Sequence, residues 1–154
     1  MIKLVEIIHK WLSIAGFKYR DKSKIELSLN LIDEEIKELK EAILANDKEA
    51  MLDAYADIIY VLNNFTYFQG FSSEEIENYI NKVTKSNYSK FSDDLEMMQE
   101  SCRLYALGEH PFKKGEKIEA EVYETCNIEY PYILKNVKTG KILKPLNFKE
   151  PNAF

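Results

Sequence analysis

The stretch LIDEEIKELKEAILANDKEAMLDAYADIIYVLNN, residues 31–64, decides the fold because it holds two helical patterns separated by one short break. Apolar residues recur every three or four positions on both sides of the tripeptide at 45–47, which interrupts the pattern. Asp47 is a suitable N-cap for the helix that follows. The stretch therefore predicts two antiparallel helices joined by a tight turn, one from near Lys24 to Leu44 and one from near Asp47 to Phe68.

Three further helices are predicted outside this stretch. The first runs from about Ile2 to Ala15 and ends at Gly16, where glycine stops the pattern. The next begins at the SSEE capping signal, with Ser72 or Ser73 as the cap, and runs to about Lys85. The last is capped by Ser92 and closed by Gly108. On the first two helices of the chain the expected core-facing residues are Leu4, Ile8, Trp11, Leu12, Ala15, Leu27, Leu31, Leu39, Ala42 and Ile43.

Beyond Pro111 the periodicity changes from helical to alternating. Residues 117–124 alternate apolar and polar side chains as a strand does, and residues 132–145 read as a hairpin with its turn at Asn136 to Gly140. The predicted fold class is therefore mainly α, an antiparallel four- to five-helix bundle with a small C-terminal β-hairpin. We expect a helical catalytic domain over residues 1–110 and a β-rich extension over residues 111–154, packed on the same domain.

Composition indicates a folded soluble protein. The 154 residues are 45% hydrophobic and 31% charged, and no apolar run is long enough for a bilayer. The N-terminus lacks a signal-peptide pattern, so Cys102 and Cys126 are most simply reduced thiols of a cytoplasmic protein, although a disulfide between them stays open. The net charge is −5, and acidic residues dominate the segment 33–57. We expect no nucleic acid or membrane partner, because an acidic surface repels nucleic acid.

Several carboxylates fall on the apolar side of the two central helices. On a helical wheel of about 100° per residue, Glu34, Glu35 and Glu38 lie within the arc of Leu31 and Leu39. Asp53 and Asp57 share a helix face with Ala50, Val61 and Asn64. Burying unpaired carboxylates costs several kcal/mol each, so two helices that both direct them into one seam need a shared countercharge.

A divalent cation supplies that countercharge. Oxygen ligands without cysteine or histidine favour a hard ion, Mg²⁺ first and Mn²⁺ or Ca²⁺ as substitutes. One alternative is an ordinary acidic rim whose orientation on the wheel differs by about 40°. A second alternative, a di-iron bundle, needs two Glu-x-x-His motifs, and only Glu6 to His9 supplies one because His110 precedes Pro111. His9 alone reads more simply as a packed or partly exposed helix residue.

These motifs together resemble a known superfamily. The pattern EExxE on one helix, a short turn and DxxxDxxYV on the next is similar to the all-α nucleoside triphosphate pyrophosphatases, and most similar to their MazG-like and phosphoribosyl-ATP-pyrophosphohydrolase-like members of bacteria and phages. The segments SNYSKF (86–91) and GKILKPLNFKEPN (140–152) extend the resemblance along the chain. It implies a homodimer or homotetramer that binds Mg²⁺ and cleaves an NTP or dNTP to NMP and pyrophosphate, with nucleotide-pool clearing as the role.

The resemblance also implies roles for single residues. Glu35, Glu38 and Asp57 match its metal ligands, and we expect Asp53, on the same helix face as Asp57, to join them. Glu34 or Glu35 would be the general base. Position 54 is alanine where many relatives have the first acid of a Glu-x-x-Asp pair, and Asp53 stands one residue earlier. Asn87, Lys90, Lys141 and Lys144 match elements that meet substrate or phosphate. Candidates for contact with the base are Trp11, His9, Tyr60 and Asn64.

Two other functions remain open from the sequence. One is a non-catalytic helical module that binds a nucleotide or assembles with a partner helix. The other is hydrolysis of a different pyrophosphate-linked substrate, such as phosphoribosyl-ATP. The carboxylates on the apolar face favour an enzyme, because an interaction module has no need of them there.

Overall fold

The computed structural model describes residues 2–154 and is mainly helical in that range. Its five α-helices are α1 (Ile2–Ile14), α2 (Ile25–Ala45), α3 (Lys48–Gln69), α4 (Ser73–Tyr88) and α5 (Leu95–Leu107). Three short strands, β1 (Phe91–Ser92), β2 (Ala120–Glu124) and β3 (Tyr132–Asn136), form one antiparallel sheet. The predicted mainly α class with its small β part is confirmed, while the arrangement of the helices as one bundle stays a prediction.

The chain forms two compact units, and the boundary between them along the sequence falls within α4. The first unit ends at Asn78, and the second comprises Tyr79–Phe154. The predicted domains, residues 1–110 and 111–154, divide the chain elsewhere, and their assignment as catalytic domain and extension stays a prediction. In the structure α5 packs against β2 and β3, so the last helix shares its unit with the strands.

The connection between α2 and α3 follows the predicted turn chemistry. Asn46 has a left-handed backbone with φ of 53°, a conformation that asparagine tolerates well, and it ends α2. The Asp47 side chain accepts hydrogen bonds from the backbone N–H groups of Glu49 at 3.0 Å and Ala50 at 3.1 Å. Asp47 is therefore the N-cap that the sequence predicts. Because the link is this short, α2 and α3 are neighbours along their length.

The core of the first unit joins α1 to the end of α3. Ile8 and Leu12 are fully buried against Tyr67 and Phe68. The Phe17 ring meets Phe68 edge-on with centroids 5.6 Å apart. This cluster buries Ile8 and Leu12 of α1, and from α2 the partly buried Ile25 packs against it.

The apolar faces expected for α1 and α2 are only partly covered. Of the ten residues predicted to face the core, only Ile8, Leu12 and Ala42 are buried. Trp11 is 52% exposed and Ile43 is 56% exposed. The prediction of a fully buried α2 stripe is therefore wrong for the single chain. The physical reason is that the fully buried residues of α2 are the small Ser28 and Ala42, whereas Leu31 and Leu39 are only half-buried and Leu27 and Ile43 are exposed.

The start of α4 is a capping box. The Ser72 hydroxyl accepts from the Glu75 N–H at 3.2 Å, and the Glu75 carboxylate accepts from the Ser72 N–H at 2.8 Å. This confirms one of the two predicted caps. The helix continues to Tyr88, past the predicted end at Lys85, because Ser86 is held by a hydrogen bond from its hydroxyl to the Lys149 carbonyl at 2.8 Å.

The C-terminal strands differ from the predicted hairpin. The turn at Asn136–Gly140 forms, with the Asn136 side chain accepting from the Lys138 and Thr139 N–H groups. Its second arm makes only an isolated bridge between Lys135 and Ile142. In its place β2 and β1 flank β3 on either side. Residues 117–119 precede β2, so the predicted strand is also shorter than expected.

Contacts with α5 explain why the second arm leaves the sheet. Tyr105 Oη donates to the Lys144 carbonyl at 2.9 Å, and the Leu146 N–H donates to Ser101 Oγ at 3.0 Å. Pro145 lies buried between them and has no N–H for a ladder. The same helix begins with Asp94 as its N-cap, which corrects the prediction of Ser92: the Asp94 carboxylate accepts from Met97 N–H at 2.9 Å, and Ser92 belongs to β1.

The structure also bears on the predictions of no membrane-spanning segment and of reduced cysteines. None of the helices in residues 2–154 combines the length and the apolar character that a membrane span requires. Cys102, half-buried, and Cys126, exposed, are both free thiols. The alternative of a disulfide between them is thus not what the structure contains.

His110 is a buried titratable group in the second unit. Its ring is fully buried and stacks on Tyr105 with centroids 3.8 Å apart and planes 5° from parallel. Nδ1 accepts from the Phe112 N–H at 3.4 Å, and Nε2 has no partner within the described residues. Burial lowers the pKa of His110 below its ordinary value.

We predict that the second unit loses stability on mild acidification because of His110. The unfolded chain protonates this imidazole near pH 6.5, whereas the folded chain resists until a lower pH. Stability therefore falls as pH drops below about 6.5, by at most about 1.4 kcal/mol per pH unit from this group. Chemical denaturation of wild type and His110→Asn at pH 7.5 and 5.5, followed by tyrosine fluorescence, measures the effect. Equal pH dependence of the two proteins would contradict it.

Candidate metal centre

The carboxylates of α2 and α3 differ in their exposure. Glu35 is half-buried, whereas Glu34, Glu38, Asp53 and Asp57 are exposed in the single chain. The expectation that all of them are enclosed in an apolar seam is therefore wrong for this chain. The physical reason is that these four side chains lie at positions of α2 and α3 that are open to solvent in residues 2–154.

Glu35 is the one member whose environment is strongly perturbed. Its Oε2 atom is buried and has no hydrogen-bond partner within residues 2–154. Its pKa is raised, first by burial and then by repulsion from Glu38, Asp57, Glu34 and Asp53 in that order. The structure thus brings all five predicted carboxylates into electrostatic range of one another, around the oxygen of Glu35.

The two aspartates of α3 are not equivalent in this cluster. Asp57 raises the pKa of Glu35 more than Asp53 does. Asp53 borders a cavity of about 440 Å³ on α3, together with Glu49, Ala50, Leu52 and Ala56. Asp57 therefore has the stronger electrostatic effect on Glu35, and Asp53 also borders the cavity on α3.

The five carboxylates suit a hard divalent cation, although their side chains do not form a closed coordination site. Within the described part of the chain no three histidine, cysteine, aspartate or glutamate side chains converge closely enough to hold an ion. The buried, unpartnered oxygen of Glu35 and the all-carboxylate donor set are nevertheless what Mg²⁺ or Mn²⁺ prefers. A cation here would relieve the repulsion that raises the Glu35 pKa.

The candidate base-contacting residues lie in the first unit. His9 Nε2 is 2.9 Å from Thr66 Oγ1, and burial lowers the pKa of His9, which favours the neutral ring. The Trp11 and Tyr60 rings meet edge-on at 6.5 Å. Asn64 has a buried, unpartnered Oδ1 and lies on the same face of α3 as Asp57, seven residues earlier. Asn64 is thus a polar group with free hydrogen-bonding capacity.

The candidate phosphate-contacting residues lie in the second unit. Lys90 Nζ donates to Asn87 Oδ1 at 2.7 Å, which orients the pair. Lys144 forms an ion pair with Glu150 at 2.7 Å and lies over the Phe148 ring at 4.4 Å. Lys141 is exposed. Lys144 is consequently already paired in the structure, whereas Lys141 is accessible to solvent.

One group of residues was missed by sequence reasoning. A cavity in the second unit, here called the aromatic cavity, is lined by Lys85, Tyr88, Ser89, Phe91, Tyr130, Asn147, Lys149 and Phe154. These residues come from three separated segments of the chain. Tyr88, Ser89 and Phe91 lie in the quoted segment 86–91, and Asn147 and Lys149 lie in the quoted segment 140–152, but neither segment signals by itself that the two meet around a cavity.

Comparison with known proteins tests the resemblance that the carboxylate motifs suggest. Residues 17–87 match the family described as phosphoribosyl-ATP pyrophosphohydrolase. The match covers 71 of the 154 residues, and over this segment the chain is similar to that family. The family is part of the all-α NTP pyrophosphatase superfamily, so the predicted resemblance is confirmed over the matched residues. It indicates a pyrophosphohydrolase, and enzymes of this superfamily generally use divalent metal ions.

The matched segment contains every predicted carboxylate and also Tyr60, Asn64 and Asn87. His9, Trp11, Lys90, Lys141 and Lys144 lie outside it, so their roles have no support from this match. The closer likeness to MazG-like proteins also stays a prediction. Neither the comparison with curated proteins nor the comparison with solved structures finds a significant match.

We predict that Glu35 lowers the stability of the metal-free protein and is required for its stabilisation by Mg²⁺. In EDTA, Glu35→Gln should unfold at the same temperature as wild type or higher, because the crowded carboxylate is gone. Added Mg²⁺ at about 100 times its Kd should stabilise wild type by about 2.7 kcal/mol and leave the variant nearly unchanged. Differential scanning calorimetry measures both effects.

Glu41→Gln is the matched control for this experiment. Glu41 lies on α2 and is exposed, with Lys37 3.8 Å away as its partner. This variant should keep the Mg²⁺ response of wild type. Equal Mg²⁺ responses of wild type and Glu35→Gln would contradict a metal centre at Glu35.

Proposed function

We propose that the protein is a Mg²⁺-dependent nucleoside triphosphate pyrophosphohydrolase that converts an NTP or dNTP to NMP and pyrophosphate and thereby clears nucleotides from the pool. The observation that carries this proposal is the buried, unpartnered oxygen of Glu35 among four further carboxylates. The cluster lies inside the segment that matches a pyrophosphohydrolase family.

The proposed metal ligands are Glu35, Glu38, Asp53 and Asp57, with Mn²⁺ as a substitute for Mg²⁺. The bound ion would offset phosphate charge and make water more acidic. The carboxylates of α2 and α3 can bind one ion together because i,i+3 and i,i+4 spacings put each pair on one helix face. Their mutual repulsion in the free chain favours cation capture.

Glu35 or Glu34 would act as the general base. A carboxylate whose pKa is raised is a stronger proton acceptor, which suits Glu35 in its half-buried position. It would take a proton from the water that attacks the α-phosphorus, and pyrophosphate would leave. Lys90, Lys141 and Lys144 are proposed to stabilise the leaving charge, and Lys144 would have to exchange Glu150 for phosphate.

The base of the nucleotide would contact His9, Trp11, Tyr60 and Asn64. Asn64 is the strongest of these candidates because its buried Oδ1 has no partner among the described residues and can accept a hydrogen bond from a base. The exposed edge-on pair of Trp11 and Tyr60 offers an apolar surface for stacking.

A second candidate substrate is phosphoribosyl-ATP. The description of the matched family favours it. It presents the same pyrophosphate linkage between α- and β-phosphates to the same carboxylates, so the proposed chemistry is unchanged. A non-catalytic helical module is the remaining alternative, and the raised pKa of Glu35 argues against it because a pure interaction surface gains nothing from a destabilised carboxylate.

We predict pyrophosphate release by the purified protein with Mg²⁺ from at least one substrate in a panel of NTPs, dNTPs and phosphoribosyl-ATP. Glu38→Gln and Asp57→Asn should lower kcat by at least about 100-fold, the scale on which loss of charge stabilisation acts. Glu41→Gln should keep wild-type activity. A coupled assay that separates pyrophosphate from orthophosphate measures the product.

Circular dichroism should show that both inactive variants stay folded, since Glu38 and Asp57 are exposed. The enzymatic proposal fails if wild type is inert on the whole panel. Full activity in both carboxylate variants would equally exclude this site.

We also propose that the protein is a homodimer or homotetramer. The supporting observation is a pair of exposed apolar stripes at heptad-like spacing. On α2 the stripe consists of Leu29, Ile36 and Ile43, and on α3 it consists of Leu52, Tyr55 and Leu62. Leu52 and Tyr55 are each more than half exposed, and soluble monomers rarely leave contiguous apolar patches of this kind uncovered. A second copy presents the matching surface.

We predict that Ile43→Glu shifts the protein toward monomer, because it places a charge in the proposed apolar interface. The matched control is Ile128→Glu, which changes a 98%-exposed isoleucine of the second unit and should leave the assembly intact. Size-exclusion chromatography with light scattering measures the mass. A wild-type monomer at micromolar concentration would overturn the oligomer proposal.

A further inference from the structure

The aromatic cavity of the second unit is unused by the proposed reaction. Its volume is about 490 Å³, within the range of small-molecule sites. Its lining shares no residue with the carboxylate cluster or with the substrate contacts predicted from the sequence. Two chemical features dominate the lining: a group of aromatic rings and two lysines.

The rings of Tyr88, Phe91 and Tyr130 form a mutually contacting triad. Their centroids lie 5.6 Å apart for Tyr88 and Tyr130, 6.0 Å for Phe91 and Tyr130, and 6.3 Å for Tyr88 and Phe91. All three pairs are tilted, with interplanar angles between 47° and 56°. The three rings therefore form one aromatic group in the cavity lining.

The backbone holds two of these rings in place without a ligand. Phe91 pairs with Ile133 in the sheet. Tyr130 is fixed at its N–H, which donates to Asn127 Oδ1 at 3.1 Å, and at its carbonyl, which accepts from the Thr125 hydroxyl. The cavity wall is thus preorganised, which reduces the entropy cost of binding.

The two lysines supply positive charge at the same cavity. The Lys149 backbone is held on both sides by serine hydroxyls: its N–H donates to Ser89 Oγ at 3.0 Å, and its carbonyl accepts from Ser86 Oγ at 2.8 Å. Within residues 2–154 neither Lys85 nor Lys149 has a carboxylate within ion-pair distance, in contrast to Lys144. Both ammonium groups therefore keep their charge available for a ligand.

We propose that the aromatic cavity binds a nucleotide, with the base stacked on Tyr88, Phe91 and Tyr130 and the phosphate held by Lys85 and Lys149. Both chemical features are needed for this ligand class. An inorganic phosphate would leave the ring faces unused, and an uncharged apolar ligand would leave two unpaired ammonium groups beside it. Asn147, which also lines the cavity, has an amide suited to the polar edge of a base.

This site would bind without metal, because its recognition groups are rings and ammonium groups. The inference is therefore separate from the proposed catalysis, whose ligands are carboxylates. Binding measured in EDTA isolates the cavity, and pyrophosphate release in Mg²⁺ reports the carboxylate cluster.

Isothermal titration of the full chain in EDTA, with a panel of nucleoside monophosphates, tests the proposal. At least one of them should bind at least about tenfold more tightly than its nucleoside or ribose 5-phosphate, because only the intact ligand uses both features. Tyr88→Ala should weaken binding at least about fivefold, the lower end for loss of one stacking ring. Tyr88→Phe should restore it.

A lysine variant separates the two halves of the site. Lys149→Met should lower the affinity for the nucleoside monophosphate and leave the affinity for the nucleoside unchanged. The matched controls are Tyr123→Ala and Lys138→Met, exposed residues of the same unit that do not line the cavity. Because Tyr88 is 53% exposed, its substitution should leave the unit folded, and circular dichroism checks this.

Three results would overturn the inference. The first is the absence of monophosphate binding in EDTA. The second is binding that Tyr88→Ala and Lys149→Met leave intact. The third is binding that is lost in Glu38→Gln and kept in Tyr88→Ala, which would assign the nucleotide to the carboxylate cluster. Binding in EDTA by a protein inert on every triphosphate would support the cavity and refute the proposed catalysis.

Discussion

The repulsion between Glu35 and four neighbouring carboxylates is the constraint on which the first unit depends. Its buried oxygen has no donor among the described residues, and four further acids raise its pKa. An arrangement of this kind costs stability in the isolated chain, since charge is withheld from water without a partner. A bound cation would offset this cost by neutralising the carboxylates. The two helices that create it are held in register by the Asp47 cap, so the cost follows directly from the turn that fixes the fold.

Local signals predicted the helices well because their causes are local. Asp47, the pair Ser72 and Glu75, and Gly108 end or begin helices through hydrogen bonds and backbone conformations that span only a few residues. The prediction of the hairpin was wrong because the contacts that decide it are distant in the sequence. Residues 144–146 are drawn out of the sheet by Tyr105 and Ser101, more than thirty-five positions away in the sequence. Periodicity cannot report a hydrogen bond over that separation. The two-residue strand β1 is likewise too short to leave a pattern.

The candidate site was predictable in position but not in burial. A helical wheel places Glu35, Glu38 and Asp57 on facing sides of α2 and α3 from spacing alone, and their mutual effect on the pKa of Glu35 agrees with that placement. Whether an apolar face is covered depends on what packs on it, and Ser28 and Ala42 are the only buried residues of α2. The aromatic cavity was beyond sequence reasoning, since its walls come from α4, β1 and two loops that only the folded chain joins.

The two units differ in how far they bury their apolar side chains and pair their polar groups, and the difference bears on function. In the second unit a tight cluster of Met98, Tyr105, Ile118, Leu134 and Leu143 forms a core, and the backbone of the C-terminal segment is bonded to serine and tyrosine hydroxyls. In the first unit large apolar side chains and several carboxylates face solvent together on α2 and α3. Stability alone would select against that surface. A helix pair that keeps exposed leucines and isoleucines beside crowded acids is better explained by groups still to bind, a subunit for the apolar stripes and a cation for the acids.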